Sequence, residues 1–237
     1  MNIIFLHGLT GSHHNFDGFK TYFKNAKSFD IIGFASERKP KTTYDKQLFL
    51  DFLETKIHED CIIIGHSMGA ILAKDFAILH PELVKRVYLL SYPLQKDQNG
   101  IKNILNKDIF VRFYMSNSIL SKSFCSSKAV WKYLLLVFIF IFAKDSYNSA
   151  KDSFKHTYNS VYSSIIDYIE KDDWKSIQLI KDKLLFISGE NDFYVDKDLI
   201  NNFNHVTIAN MSHLFSGYEN EISKIINNDM SSNKSGY

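Results

Sequence analysis

The sequence predicts an α/β fold: a mostly parallel sheet of about six strands with helices on both faces, interrupted by a helical insertion. Three observations carry this. Short β-branched or aromatic runs recur along the chain: NIIFL at 2–6, FDIIGF at 29–34, CIII at 61–64, VKRVYLL at 84–90, LLFIS at 184–188 and HVTIA at 205–209. Stretches with apolar residues at helical spacing separate them. From 95 to 172 the strand runs stop while helical patterning continues. Residues 1–94 and 173–237 therefore read as one core, and 95–172 as an insertion. Alternating strands and helices favour parallel pairing with right-handed crossovers. Ligands bind at the carboxyl ends of strands in such sheets, so an insertion there would cover the site.

Taken in order, the first strand (2–6) ends at His7-Gly8. Residues 13–26 place Phe16, Phe19, Tyr22 and Phe23 on a helical stripe, and FDIIGF reads as the second strand. Residues 44–57 repeat the helical stripe with Leu48, Phe49, Phe52, Leu53 and Ile57. The continuous CIII run suits a strand buried on both faces. A sharp turn at 65–69 leads to a helix over 70–80, which stops before Pro81 as sterics require. The strand 84–90 ends at a Ser-Tyr-Pro turn. After the insertion come two more strands and a helix over 214–226, and the last ten residues read as a polar, frayed tail.

Composition narrows the function. The chain has 237 residues, 45% apolar and 23% charged, which suits one packed domain. A formal net charge of +2 gives no basis for nucleic-acid binding. Cys61 and Cys125 are far apart and show no metal or redox spacing. No H-E-x-x-H, phosphate loop or dinucleotide fingerprint occurs, so neither a metal nor a cofactor is expected. The N-terminus lacks the features of a secretory signal, and a cytoplasmic location is expected. The apolar run 133–143 would span roughly 16 Å as a helix, about half a bilayer core. It is expected to be buried.

The chemical signal is Gly65-His66-Ser67-Met68-Gly69, a G-x-S-x-G between a strand and a helix. A tight turn holds the serine in strained backbone with its hydroxyl exposed, and flanking glycines avoid clashes. The helix that follows aims N–H groups and its positive dipole end at developing negative charge. Ser67 is therefore the candidate nucleophile. Serine needs a base. Of nine histidines, only His156, His205 and His213 follow the turn's helix at a useful distance.

Together with FLHGLTG at 5–11, these residues resemble the α/β-hydrolase family, over nearly the whole chain outside 95–172. The resemblance implies a serine hydrolase of esterase or lipase type. It makes His213, in the loop after the last strand, the base. It makes Asp192, in GENDFYV at 189–195, the acid, with Glu190, Asp196, Asp198 and the more distant Asp97 as alternatives. It assigns the oxyanion hole to the amides of Leu9 and Met68, and 95–172 to a cap. It also implies that the family's first two strands are missing, leaving six. A serine nucleophile excludes the branches that use aspartate, such as epoxide hydrolases.

The expected activity is hydrolysis of a carboxylic ester or thioester through an acyl-enzyme. The alternatives are C–C hydrolysis, lyase or perhydrolase chemistry on the same triad, or a non-catalytic binding protein. The substrate is expected to be a small-molecule or acyl ester. Lys96, Lys102, Lys107, Arg112, Lys122, Lys128 and Lys132 face only Asp97 and Asp108, giving net +5 over 96–132. Such a stretch fits either a solvated surface or docking of an acidic carrier protein or an anionic membrane surface. The run 133–143 would then line an acyl tunnel.

Overall fold

The computed structural model describes residues 2–127, 136 and 147–232. Six strands form one sheet in the order β2-β1-β3-β4-β5-β6, and all five pairings are parallel. The strands are β1 (Asn2–Leu6), β2 (Ala26–Ser28), β3 (Cys61–His66), β4 (Val84–Leu90), β5 (Leu184–Gly189) and β6 (His205–Ile208). Helices α1 (Lys46–Glu54) and α2 (Met68–Leu79) cover one face. A 3₁₀ segment (His13–Phe19) and the C-terminal helix α8 (Glu219–Ser232) cover the other. Between them in sequence lie α3 (Gln98–Lys107), α4 (Ile109–Met115), α5 (Tyr147–Ser153), α6 (Tyr158–Ser163) and the single-turn α7 (Lys197–Ile200).

The central strands alternate between two cores, as the period of two requires. Ile63, Val87, Leu89 and Phe186 pack with α1 and α2, while Ile62, Ile64, Tyr88 and Leu185 pack with Phe16, Phe19, Ile222 and Ile226. Both sets are buried, which is why these strands read as continuous apolar runs.

Three sequence expectations are corrected. The second strand is Ala26–Ser28, not 29–34. The FDIIGF run is apolar because it fills the core, not because it pairs: Ile31, Ile32 and Phe34 are fully buried. It turns because the Asp30 carboxylate gathers the amides of His13 and Ser36, and Gly33 adopts φ +94° with the Tyr44 ring against its α-carbon. The stripe over 13–26 is helical only to Phe19, opened by a Ser12–Asn15 capping box. The last helix starts at Glu219 rather than 214, after a turn in which Gly217 has φ +90°, and it extends through Ser232 into the expected tail.

Residues 95–172 contain α3 to α6, a helical stretch at 119–127 and a π-helical turn Ser164–Ile169, with no strand among the described residues. The run 133–143, like Lys128 and Lys132, lies outside the described residues, apart from a buried Leu136. Among the described residues no helix is long and apolar enough to cross a membrane.

Candidate active site

Ser67 sits between β3 and α2 with φ +53° and ψ −119°, a conformation that costs a non-glycine residue of order 1–3 kcal/mol. The surroundings enforce it. Its amide donates to the Leu90 carbonyl at 3.0 Å. A β-carbon on Gly65 would lie 2.2 Å from the Gly69 carbonyl oxygen, and one on Gly69 would lie 2.2 Å from the Leu6 carbonyl oxygen. Only glycine at both positions lets α2 start this close to β1. The Ser67 hydroxyl does not cap α2; it donates instead to His213 Nε2 at 2.9 Å.

His213 follows β6 and Asp192 follows β5. His213 Nδ1 lies 3.0 and 3.1 Å from the two carboxylate oxygens of Asp192. Asp192 is buried, and the Tyr194 amide donates to its Oδ1 at 3.0 Å. Burial pushes this carboxyl up, but the hydrogen bonds from His213 and the Tyr194 amide outweigh it and hold the group below its ordinary value. Asp192 is thus an ionised acceptor that makes His213 carry its proton on Nδ1, leaving the Nε2 lone pair toward the serine.

The alternatives from the sequence have other partners. Glu190 is exposed and accepts from the Asn210 amide. Asp196 caps α7, where Asp198 lies exposed. Asp97 caps α3 through the Gly100 amide. His156 pairs with the Tyr114 hydroxyl, and His205 belongs to β6 beside the Phe203 carbonyl.

Leu9 and Met68 both line the cavity over Ser67. The Gly11 amide closes a turn onto the Gly8 carbonyl around Leu9 and Thr10, the latter at φ +58°. His7 fixes this loop. Its Nε2 accepts from the Ile31 amide at 2.9 Å while Nδ1 donates to the Gly8 carbonyl. Burial lowers its pKa to about 4, so it stays neutral. Met68 opens α2 with no side-chain cap, and the first N–H groups of a helix have no intrahelical partner.

Two residues that sequence reasoning passed over complete the site. His66 donates from Nε2 to the His213 carbonyl at 2.9 Å and packs edge-on against Phe215, and burial beside His213 lowers its pKa to about 3. It tethers the loop that carries His213. Tyr194 lays its ring 4.4 Å from that of His213 and donates its hydroxyl to Asp108 at the head of α4. His66 stands inside the G-x-S-x-G pattern, yet its partner is a backbone carbonyl from the far end of the chain, which no local pattern reveals.

The cavity measures about 360 Å³, within the usual range of small-molecule sites. Leu105, Val111 and Ile169, from residues 95–172, supply an apolar wall opposite Ser67. Away from Ser67 and His213, His13, His14 and Asp152 bring metal-type donor atoms within 4.8 Å of one another.

Known proteins bear on the fold. A sequence family described as the alpha/beta hydrolase fold matches residues 2–108. A probable lysophospholipase, BODYGUARD 4 of Arabidopsis thaliana, is 23% identical over 194 residues, covering 71% of this chain and 46% of that protein. The sn-1-specific diacylglycerol lipase ABHD11 of Danio rerio is 31% identical over 96 residues, covering 37% of this chain and 30% of that protein. The chain thus spans under half the length of these curated relatives. A carboxylesterase structure from the thaumarchaeon Nitrososphaera gargenis superposes with TM-score 0.73 at 14% identity, covering all of this chain and 92% of that one.

Proposed function

From the premise that this chain has the α/β-hydrolase fold, we propose that it is a serine hydrolase cleaving carboxylic esters or thioesters. The observation that carries this is the continuous chain Ser67 Oγ, His213 Nε2, His213 Nδ1, Asp192, opening into an apolar-walled cavity. In this reading Ser67 attacks the acyl carbonyl as His213 takes its proton. The amides of Leu9 and Met68 hold the oxyanion, for which one donor is worth roughly 2.7–4 kcal/mol. His213 then protonates the leaving alcohol or thiol, and a water activated by the same imidazole releases the acid. Asp192 holds the tautomer and stabilises the imidazolium. Residues 95–172 act as the cap, whose Leu105, Val111 and Ile169 meet the acyl group.

A fluorophosphonate probe tests the reading. Covalent labelling of the wild-type chain, lost in Ser67→Ala, is the expected result; equal labelling of both would overturn it. A series of chromogenic esters and acyl thioesters would then set the acyl length.

The same proposal extends to partners and place. Lys107, Arg112 and Lys122 are exposed or half-exposed beside the exposed apolar Ile109, Ile119 and Leu120, whereas Lys102 is paired with Glu170. That combination supports docking of an acidic carrier protein or an anionic membrane surface. Reversing Lys107 and Lys122 to glutamate should raise KM for such substrates and spare small soluble esters, and the difference should shrink with salt. Both described cysteines are free and buried, which fits the expected cytoplasmic setting.

A further inference from the structure

His13 and His14 open the 3₁₀ segment side by side, with ring centroids 4.0 Å apart. Each gives its Nδ1 to a carboxylate at 2.8 Å, His13 to Asp30 and His14 to Asp17. With Nδ1 engaged by a carboxylate in each ring, Nε2 is left as the metal-type donor, and His14 Nε2 faces Asp152. Metal-ligating histidines are characteristically oriented by carboxylates in this way.

A third donor arrives from the insertion. Asp152, in the last turn of α5, is 6% exposed. Its Oδ1 takes Lys155 at 2.5 Å, while its Oδ2 faces His14 Nε2 at 3.8 Å. One donor atom from each of His13, His14 and Asp152 falls within 4.8 Å of the other two.

We propose that His13, His14 and Asp152 form a binding site for a divalent transition ion of zinc type, which clamps the insertion to the core at the rim of the catalytic cavity. Two imidazoles and one carboxylate are a zinc-like donor set, with a fourth position for water. Magnesium and calcium, which take mainly oxygen ligands, are disfavoured. Bonds of about 2.0–2.1 Å place tetrahedral ligands roughly 3.3 Å apart, so binding draws α5 onto the 3₁₀ segment. Their sequence neighbours Asn15 and Ser153 line the cavity, so the clamp bears on its opening. Lys155 and Lys39 are the nearby cations that compete with the metal for Asp152. This revises the sequence expectation of no metal site, which rested on short-range spacings that Asp152 does not obey. The clamp is separate from the Ser67 chemistry and stands or falls without it.

The test uses the full, untagged chain stripped with a chelator. Calorimetric titration with Zn²⁺ should give one equivalent, with a rise in Tm, and Co²⁺ should give the visible absorption of a tetrahedral site. Asp152→Asn and His14→Gln should each weaken binding at least about tenfold, and Asp17→Asn, which only orients His14, by roughly 10–100-fold. His205→Gln, remote from the cluster, should bind as wild type. Ca²⁺ and Mg²⁺ should give neither heat nor shift. Absence of zinc binding above that of a stoichiometric mixture of free histidine, or binding unchanged in both Asp152→Asn and His14→Gln, would overturn the proposal and leave His14–Asp152 as an ion pair.

Discussion

The sheet and the insertion meet the same apolar core, yet they are held to it differently. In the sheet, backbone ladders and alternate side chains such as Ile63 and Val87 fix every strand. The insertion adds Ile101, Val161 and Ile165 to that core, and polar links join it to the rest of the chain as well. The Ser163 hydroxyl accepts from the Tyr44 amide at 2.7 Å, Asn159 donates to the Thr42 carbonyl at 2.9 Å, and Tyr194 donates to Asp108 at 2.8 Å. The most buried link is Lys74, on α2, which donates to Asp172 at 2.6 Å, lies 3.0 Å from Asp75, and shares Asp172 with the Tyr92 hydroxyl. Trimming one methylene from a packed core costs about 0.5–1.5 kcal/mol, whereas losing one partner of a buried polar link leaves the other unsatisfied at about 1–3 kcal/mol. Ser67, His213 and Asp192 thus sit on the sheet side, and Leu105, Val111 and Ile169 on the stretch that these polar links join to it.

The largest expected effect lies wholly on the sheet side. Ser67→Ala should lower ester turnover by about 10⁶-fold with an unchanged circular dichroism spectrum. Asp192→Asn should lose roughly 10⁴-fold. Asp97→Asn should instead keep the rate and change stability little, since Asn caps a helix about as well as Asp. A rate loss in Asp97→Asn without one in Asp192→Asn would reassign the acid.

Next comes the link between the regions. Lys74→Met leaves the buried Asp172 with the Tyr92 hydroxyl but no cation, while Asp75 keeps Lys46 and Tyr168, and should lower unfolding free energy by about 3–5 kcal/mol in urea. Adding Asp172→Asn should recover part of that. A loss under about 1 kcal/mol would mean that the insertion is held by apolar contact alone.

A pH titration of stability sharpens the comparison from the core side. His66 and His7 have folded pKa values of about 3 and about 4, below the ordinary 6.5. Between those limits the unfolded chain binds more protons, so stability rises as pH climbs from about 4 to 6.5 and then flattens. The urea midpoint measured across that window checks this; a flat midpoint would mean that the two imidazoles are not neutral in the fold.

The smallest effect is at the seam. Tyr194→Phe keeps the ring beside His213 but drops the bond to Asp108, costing roughly 0.5–1.5 kcal/mol. KM should shift more than kcat if that bond positions α4 over the cavity.

Much of the sheet was legible because strands buried on both faces leave unbroken apolar runs such as CIII. FDIIGF misled for the same reason: burial alone makes a run apolar, and only the Asp30 amide cluster reveals the turn. Ser67 stood out because its turn needs glycine at fixed offsets, and its grouping with His213 and Asp192 was anticipated through the family resemblance. His66 as a tether, the Tyr194–Asp108 bond and the grouping of His13 and His14 with Asp152 were not legible, since each joins residues distant in sequence.

The start of the insertion lies against the residues that follow its end: the Trp174 indole donates to the Lys96 carbonyl at 3.3 Å, beside the Lys74–Asp172 pair. A segment whose ends are already joined forms a closed loop on a fixed base. Lengthening such a loop costs little, about 0.6 kcal/mol of closure entropy for each doubling. The stretch between those anchors can therefore take up added length at little entropic cost, while Ser67, His213 and Asp192 stay where the sheet puts them.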